Sequence, residues 1–459
     1  MDLLATPAAF TPAAFQMPTS SDIARGMIQA IRNDDPVITE LEDQDVYKLF
    51  MLQAIWLEYR SVRATFAFIN RSRSMRVKKT VPIGKLRAHL DQARRLRFSR
   101  AALTWMRGET FGGEMRIFRD DFIEWLRSYQ LPEYELRDGG DEYEIVFPGL
   151  WCESTLWEII CMEIVSELRS RAAFEGRSPL EAEVTYARAT DKLFRKLQVI
   201  RTLEGMGVAE FGSRRRHSAA WQRHVLQMMM EMLGGQLTGT SNCKLAREFG
   251  LEAVGTFAHE MVMTTVALAY GRYQADGATI EDIRAAQYEP FLAWERVYQG
   301  NMRVLLPDTY GSTQFFRGAP VQLADWVGVR PDSKEPVAAC DEAKAFFAAH
   351  GQDPAAKRML PSDGLDPAEM IRIHKAQAGS CRLGVGWGTG ATNDFVGCAA
   401  WGGDELDHGS IVCKVVEADG TPAVKLSDNA AKRTGRKDVV GFMVGVFGTE
   451  GVANADVVY

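Results

Sequence analysis

Among the residues that could do chemistry, His259 stands in the most informative context. It follows Gly255-Thr256-Phe257-Ala258 and precedes Glu260. An imidazole with an acidic neighbour suits a general base or a nucleophile; a structural histidine is the competing reading. Phe211-Gly212-Ser213-Arg214-Arg215-Arg216-His217 sets three consecutive cations behind an apolar run. Consecutive side chains diverge, so one or two of these guanidiniums enter a pocket while the rest face solvent or carboxylates. Arginine grips a planar carboxylate or a phosphate with paired hydrogen bonds, and Phe211 offers a face for an aromatic substrate. A solvated charge run beside a core phenylalanine explains the segment as well.

Two further segments read in two ways each. In Gly386-Trp387-Gly388-Thr389-Gly390 the glycines admit backbone N–H groups close to an anion, and a helix start behind them adds its positive end. A plain glycine-rich turn fits equally. In Ser362-Asp363-Gly364-Leu365-Asp366 the carboxylates suit ribose hydroxyls or a divalent cation, or a helix N-cap and Asx-turn. His217 and His224 have no third ligand at metal spacing and read as non-catalytic. The seven cysteines include no Cys-x-x-Cys pair, so neither a disulfide framework nor a structural zinc site is expected. A reduced, cytoplasmic location follows.

These residues need elements to position them. From Gly205 onward, short apolar runs end repeatedly in small or acidic polar clusters at Phe211–Arg214, Gly239–Asn242, Gly255–Glu260, Pro307–Gly311, Arg330–Ser333, Ser362–Gly364 and Gly384–Thr389, each followed by a helix-compatible stretch. A β/α barrel places functional groups at the carboxyl end of nearly every strand, whereas an open doubly wound sheet concentrates them at a switch point. The uneven spacing predicts an irregular barrel. Upstream, a helix near Val46–Tyr59, a strand Arg63–Asn70, helices over Ile83–Arg97 and Phe122–Gln130, and a hairpin turning through Asp138-Gly139-Gly140-Asp141 predict a compact α+β unit. Long helices follow over Leu150–Arg171 and Pro179–Leu203. Ile411–Glu417, Ala423–Leu426 and Val439–Val446 read as strands returning to that unit. The expected division is therefore 1–148, an α+β domain; 149–394, an irregular α/β barrel; and 395–459, a segment completing the first domain.

Composition bounds the function. The chain has 459 residues, 54 Lys+Arg against 60 Asp+Glu and a net charge of −6, which argues against a nucleic-acid binder held by phosphate neutralisation. Hydrophobic residues at 46% and charged residues at 25% allow a large core. The apolar stretch Leu156–Val165 is cut by Glu158 and Glu163, and no uncharged apolar run reaches about 18 residues, so no membrane helix is expected. Residues 1–21 lack the basic start and apolar block of a secretory signal and read as a flexible lead-in.

Taken in series, Asp43-Gln44-Asp45-Val46-Tyr47-Lys48-Leu49, Phe211-Gly212-Ser213-Arg214-Arg215-Arg216, Gly239-Thr240-Ser241-Asn242, Gly255-Thr256-Phe257-Ala258-His259-Glu260, Pro307-Asp308-Thr309-Tyr310-Gly311, Arg330-Pro331-Asp332-Ser333 and Lys425-Leu426-Ser427-Asp428 resemble the nicotinate phosphoribosyltransferases, type II phosphoribosyltransferases. The resemblance implies the barrel of that kind with a discontinuous α+β domain, and a homodimer with active sites at the subunit interface. It implies transfer from 5-phosphoribosyl 1-pyrophosphate to nicotinate with Mg2+, coupled to ATP hydrolysis. By the same resemblance Phe211 and Arg214 hold the pyridine ring and its carboxylate, and Tyr47 closes over the ring from the other subunit. His259 becomes phosphorylated, and Asp308 is expected to orient it by a hydrogen bond. Arg330, Asp332, Ser333, Asp363, Gly364, Gly388 and Thr389 meet the donor's phosphates and ribose; the metal ligands stay unassigned. Ser241 stands where the related nicotinamide enzymes carry an aspartate, which implies preference for the acid.

Two departures accompany the resemblance. Lys334-Glu335 replace the usual Gly-Asp, so a lysine side chain either crowds the donor site or adds a phosphate contact. A glycine in Gly386–Gly390 stands where arginine or asparagine is common. Lys334-Glu335 also motivate an alternative, a catalytically silent binding or regulatory paralogue; a transferase for a different pyridine base is the other.

Overall fold

The computed structural model describes residues 17–72, 75–111 and 113–454, so most of the expected lead-in lies outside the described residues. Its end enters a helix, Ser20–Asn33, started by a capping box between Thr19 and Asp22.

Two sheets organise the chain. The first is antiparallel and five-stranded, in the order Thr421–Pro422, Ile411–Ala418, Arg63–Asn70, Tyr143–Leu150, Glu135–Asp138. Its central pair joins the two ends of the sequence, with Phe68 opposite Cys413 and Asn70 opposite Ile411. Ala64, Phe66 and Phe68 alternate into the core, as a half-buried strand requires. Against this sheet packs the helix Trp157–Phe174, buried around nearly its whole circumference. It is buried between layers although it carries the charged residues Glu158, Glu163, Glu167 and Arg171. The helix His259–Gln274 packs on the strand Ile411–Ala418.

The second sheet is parallel and six-stranded, in the order Leu237–Thr240, Gly207–Glu210, Arg382–Trp387, Arg358–Met359, Gly328–Val329, Val304–Leu305. All but one of the expected strand ends follow these strands. The exception, Gly255–Glu260, follows a single parallel bridge from Thr240 to Ala253. Among the described residues no ladder joins Val304–Leu305 to that bridge. The mixed α/β class and the discontinuous antiparallel sheet are as expected.

The C-terminal text is corrected in two places. Val439–Val446 is helix, within Lys437–Phe447, with Val439, Met443, Val446 and Phe447 buried at helical spacing. A dense run of valines conceals that period in the sequence. Ala423–Leu426 forms no ladder beyond the bridge from Lys425 to Thr434.

Close approach of loops sets the top of the parallel sheet. Thr392 Oγ1 donates to the Gly212 carbonyl at 2.9 Å, and the His217 amide donates to the Thr392 carbonyl at 3.0 Å. A Cβ on Gly212 would meet three Thr392 side-chain atoms at 2.1 to 2.7 Å. Gly212→Ala is therefore expected to destabilise the fold by about 1–3 kcal/mol through overpacking, read as a lower urea midpoint; an unchanged midpoint would show that the two loops part freely.

Candidate active site

At the carboxyl ends of the parallel strands lies a cavity of about 1290 Å3. Tyr47, Phe211, Arg214, His259, Arg330, Asp332, Asp363, Gly364, Gly388 and Thr389 all line it. Asp308, Ser241 and Ser333 do not; they lie behind the wall. The sequence expectations thus converge on one place from loops nearly 350 residues apart.

His259 is the first residue of the helix His259–Gln274. Its Nδ1 lies 2.9 Å from Thr309 Oγ1, and its Nε2 lies 3.0 Å from Asp332 Oδ2 and 2.8 Å from Lys425 Nζ. Asp308 is 3.9 Å from Nε2, so the hydrogen bond expected from Asp308 comes from Asp332 instead. Ser333 Oγ donates to Asp308 Oδ2, while Oδ1, the oxygen nearer the ring, is buried with no hydrogen-bond partner among the described residues. Glu260 does not face the ring either: successive helical residues point about 100° apart. It turns inward to Lys48, Trp151 Nε1 and Thr155 Oγ1.

Burial first, and the Lys425 ammonium second, push the His259 imidazole down to about 4, so it is neutral at pH 7. Burial alone would raise the Asp332 carboxyl, but the His259 hydrogen bond and Lys425 outweigh it and hold Asp332 well below its usual range.

The arginine run divides as its geometry requires. Arg214 faces the cavity, 3.8 Å from Asp45 and 3.7 Å from Glu158. Arg216 is buried and grips Asp43 with two bonds, at 2.7 and 3.0 Å. Arg215 donates to the Ile411 carbonyl. Phe211 and Tyr47 line the same cavity as Arg214 within one chain. Ser241 is fully buried and its hydroxyl donates to Asp45, so it reaches the site only through that carboxylate.

The part of the wall formed by Asp363, Gly364, Gly388 and Thr389 is built largely from backbone. Asp363 and Gly364 take positive φ angles of 76° and 63°, and Asp363 pairs with Lys432. Gly388 passes the Phe211 carbonyl so closely that a Cβ would lie 3.1 Å from it. Sequence reasoning missed several cavity-lining groups: Arg71, Glu158, Lys414 and Lys432, and a role for Lys425. Those beyond Asp394 come within reach only because the Ile411–Ala418 strand returns to the sheet. Apart from Lys425, which stands in the Lys425–Asp428 motif, no local spacing marks them.

Residues 206–450 match the nicotinate phosphoribosyltransferase (NAPRTase) family, and residues 43–166 match that family's N-terminal domain. The chain belongs to the nicotinate phosphoribosyltransferase family. Solved structures agree in fold. A nicotinate phosphoribosyltransferase from Vibrio cholerae is 28% identical, with a TM-score of 0.78 over 92% of this chain and 95% of that one. Another, from Porphyromonas gingivalis, is 26% identical, with a TM-score of 0.77 over 90% of this chain and 100% of that one. Among the described residues no helix is long and apolar enough to cross a membrane.

The family departure at Lys334-Glu335 neither crowds the cavity nor adds a contact in it. Lys334 Nζ donates to Glu342 at 2.7 Å and to Thr313 at 3.1 Å, while Glu335 caps the helix Pro336–Ala349 and pairs with Arg372. This removes the observation that favoured a silent paralogue.

A resident Mg2+ was tested against the cluster His259, Asp308 and Asp332, whose ligand atoms lie within 4.8 Å of one another. The fit is poor. Mg2+ demands oxygen ligands, one of the three is an imidazole, and the Lys425 ammonium already stands 3.6 Å from Asp308 and 3.8 Å from Asp332.

The folded chain refuses on His259 a proton that the unfolded chain accepts. As pH falls from the ordinary 6.5 towards about 4, this residue therefore removes stability. In a histidine NMR titration, His259 is expected to show no protonation step between about pH 5.5 and 8. Lys425→Met should move its midpoint upward; a midpoint that stays put would mean that burial alone sets it.

Proposed function

We propose that this chain performs ATP-coupled phosphoribosyl transfer to nicotinate, giving nicotinate mononucleotide and pyrophosphate in pyridine-nucleotide salvage. The observation that carries the reading is the neutral His259 between Asp332, Lys425 and Thr309 at the cavity wall. A neutral imidazole has a lone pair with which to attack the γ-phosphorus of ATP; the bond to the ADP oxygen breaks and ADP leaves. Asp332 accepts from Nε2–H and offsets the positive charge that grows on the ring, which leaves Nδ1, beside Thr309, as the attacking nitrogen, with Lys425 on the Nε2 side. Water later cleaves the phosphohistidine to free phosphate. Asp308 keeps a supporting place, holding Ser333 and Lys425.

The transfer itself needs no protein nucleophile. The bond from the anomeric carbon to pyrophosphate breaks, positive charge develops on the ribose, and the pyridine nitrogen closes on that carbon. Phe211 and Tyr47 hold the ring and Arg214 its carboxylate. Arg330, Asp332, Asp363, Gly364, Gly388 and Thr389 receive the donor, with Ser333 behind them. Arg71 and Lys414 add cations: among the described residues an Arg71 nitrogen is buried without a hydrogen-bond partner, and burial pushes the Lys414 ammonium well below its usual value. Both conditions favour an arriving phosphate. Magnesium enters in this reading with the donor's pyrophosphate, as part of the substrate.

The division at 1–148, 149–394 and 395–459 belongs to the same proposal, the last segment lending Lys414, Lys425 and Lys432 to the site. A homodimer is proposed as an assembly. A cytoplasmic setting suits the seven free thiols.

The deciding experiment follows nicotinate mononucleotide formation by the purified protein with donor and magnesium, comparing nicotinate with nicotinamide, each with and without ATP. Faster product from nicotinate with ATP is the expected result, and no reaction from nicotinate under any condition would sink the reading. His259→Asn is expected to lose the ATP effect and phosphate incorporation from labelled ATP while keeping slow transfer; full ATP coupling in that variant would remove the phosphohistidine.

Ser241→Asp would set a second carboxylate against buried Asp45. It is expected to lower kcat/KM for nicotinate by about tenfold, since like charges in a buried site repel strongly. Undiminished nicotinate turnover in this variant would show that acid preference is set elsewhere.

A further inference from the structure

The cavity does not stop at the carboxyl ends of the parallel strands. Thr238, Val327, Arg358, Cys381 and Arg382 line it as well, and they stand at or beside the amino ends. All of these except half-buried Cys381 are exposed, as Asp363 and Gly364 are at the opposite end, so one cavity meets solvent at both. Its volume of about 1290 Å3 exceeds the roughly 300–1,000 Å3 of ordinary ligand pockets.

Missing side chains keep the way between the two ends open. Parallel barrels ordinarily fill this face with branched side chains. Here Gly207, Gly384 and Gly386 occupy it: a Cβ on each would point at Thr238, Leu360 and Phe211, at 2.7, 2.8 and 3.5 Å, and all three of those residues line the cavity. From Arg382 to Gly386 the strand covers about 13 Å, at roughly 3.3 Å per residue. Phe211 therefore stands at the inner end of a glycine-lined passage whose outer end is marked by arginine.

That outer end carries unpaired positive charge. Arg358 and Arg382 are in register on neighbouring parallel strands, so their side chains leave the same face. Gly328, on the other side of Arg358, has no side chain to cover it. Among the described residues neither guanidinium has a hydrogen bond or an ion pair. Glu252, beside Gly239, is the opposing charge on this half of the cavity. Two neighbouring cations repel across the strands, and a carboxylate that accepts from both relieves the repulsion. Walls of low dielectric focus such a field into the opening.

We propose that the amino ends of the parallel strands form a second mouth for the acid acceptor base: Arg358 and Arg382 gather its carboxylate, and the glycine-lined passage delivers its ring to Phe211 while the donor fills the other end. This rests on the function proposed above, with the base on Phe211 and the donor at Asp363 and Gly388.

Val327, 41% exposed at this mouth, is the place to narrow it. With donor saturating, Val327→Trp is expected to lower kcat/KM for nicotinate by about tenfold while kcat and the donor's KM stay within about twofold. The equilibrium Kd for nicotinate without donor should stay within about twofold, because a passage governs rates and not affinity. Joint Arg358→Gln and Arg382→Gln is expected to lower the same kcat/KM by about fivefold and to flatten its decline with salt; this variant decides the matter if the tryptophan does not fold. Unchanged kcat/KM in folded variants overturns the proposal. So does a rise in Kd equal to the fall in kcat/KM, because then the site itself was disturbed. Cys381 reads the mouth without catalysis, since the other six thiols are buried. A methanethiosulfonate reagent is expected to attach there in the folded wild-type protein, and more slowly in Val327→Trp. A wild-type protein that makes no product from nicotinate sinks the function proposed above; a Cys381 that the reagent reaches only after denaturation overturns the second mouth whatever the substrate.

Discussion

The pairing of the strand Arg63–Asn70 with Ile411–Ala418 brings together chain segments about 350 residues apart, and the site exists because of it. Closing so long a loop costs entropy that grows only slowly with length, so one well-packed ladder can hold it. The same ladder carries Lys414 to the cavity wall and sets Lys425 and Lys432 just beyond it. At the other end, Val46 donates its amide to the Ser241 carbonyl at 2.6 Å, and Cys243 donates to the Gln44 carbonyl at 2.8 Å. Those two bonds fasten the segment bearing Asp45, Tyr47 and Lys48 to the end of the parallel strand Leu237–Thr240. The Tyr47 and Arg214 side of the cavity therefore leans on the N-terminal segment, and the His259 and Asp363 side on the C-terminal one.

Charge is buried around this cavity in pairs. Lys48, with no exposed side-chain surface, lies between Glu158 and Glu260; Arg216 sits on Asp43; Lys425 sits among Asp308, Asp332 and His259. Such pairs add little net stability, because desolvating both ions cancels most of their attraction, yet removing one partner is strongly destabilising. Their use here is positional. Each fixes a loop whose neighbour faces the ligand: Arg216 behind Arg214, Lys48 one residue from Tyr47, Glu260 one residue from His259. Alternate residues thus serve scaffold and chemistry.

Much of this was legible in the sequence. Short apolar runs ending in Gly, Ser and Asp marked nearly every parallel strand end, because the loops that hold ligands need residues that turn sharply and accept or donate hydrogen bonds. Arg63–Asn70 was legible from its alternation. Val439–Val446 was not, since β-branched residues at helical spacing resemble a buried strand. The partner of His259 was also hidden: Asp308 and Asp332 end adjacent strands with similar motifs, and only the folded geometry sets Asp332 at 3.0 Å and Asp308 at 3.9 Å from Nε2. Lys414 and Arg71 carry no local signature, being ordinary cations on or after strands until the sheet brings them to one cavity.

The start of the helix His259–Gln274 ties the two halves of the cavity to each other. His259 faces Asp332 and Lys425 on the donor side, while Glu260, one residue on, reaches Lys48, whose other carboxylate is Glu158 beside Arg214. Burial would raise the Glu260 carboxyl, and Lys48 opposes that; Glu158 is drawn below its usual value by the same ammonium. Lys48 cannot release either carboxylate without leaving charge unpaired in the interior, at a cost of about 3–5 kcal/mol. The imidazole and the guanidinium are consequently linked through a buried ion triad and one step along the helix. An in-line closure of ring nitrogen on anomeric carbon benefits from such a link, because loss of alignment by even about 1 Å costs rate steeply.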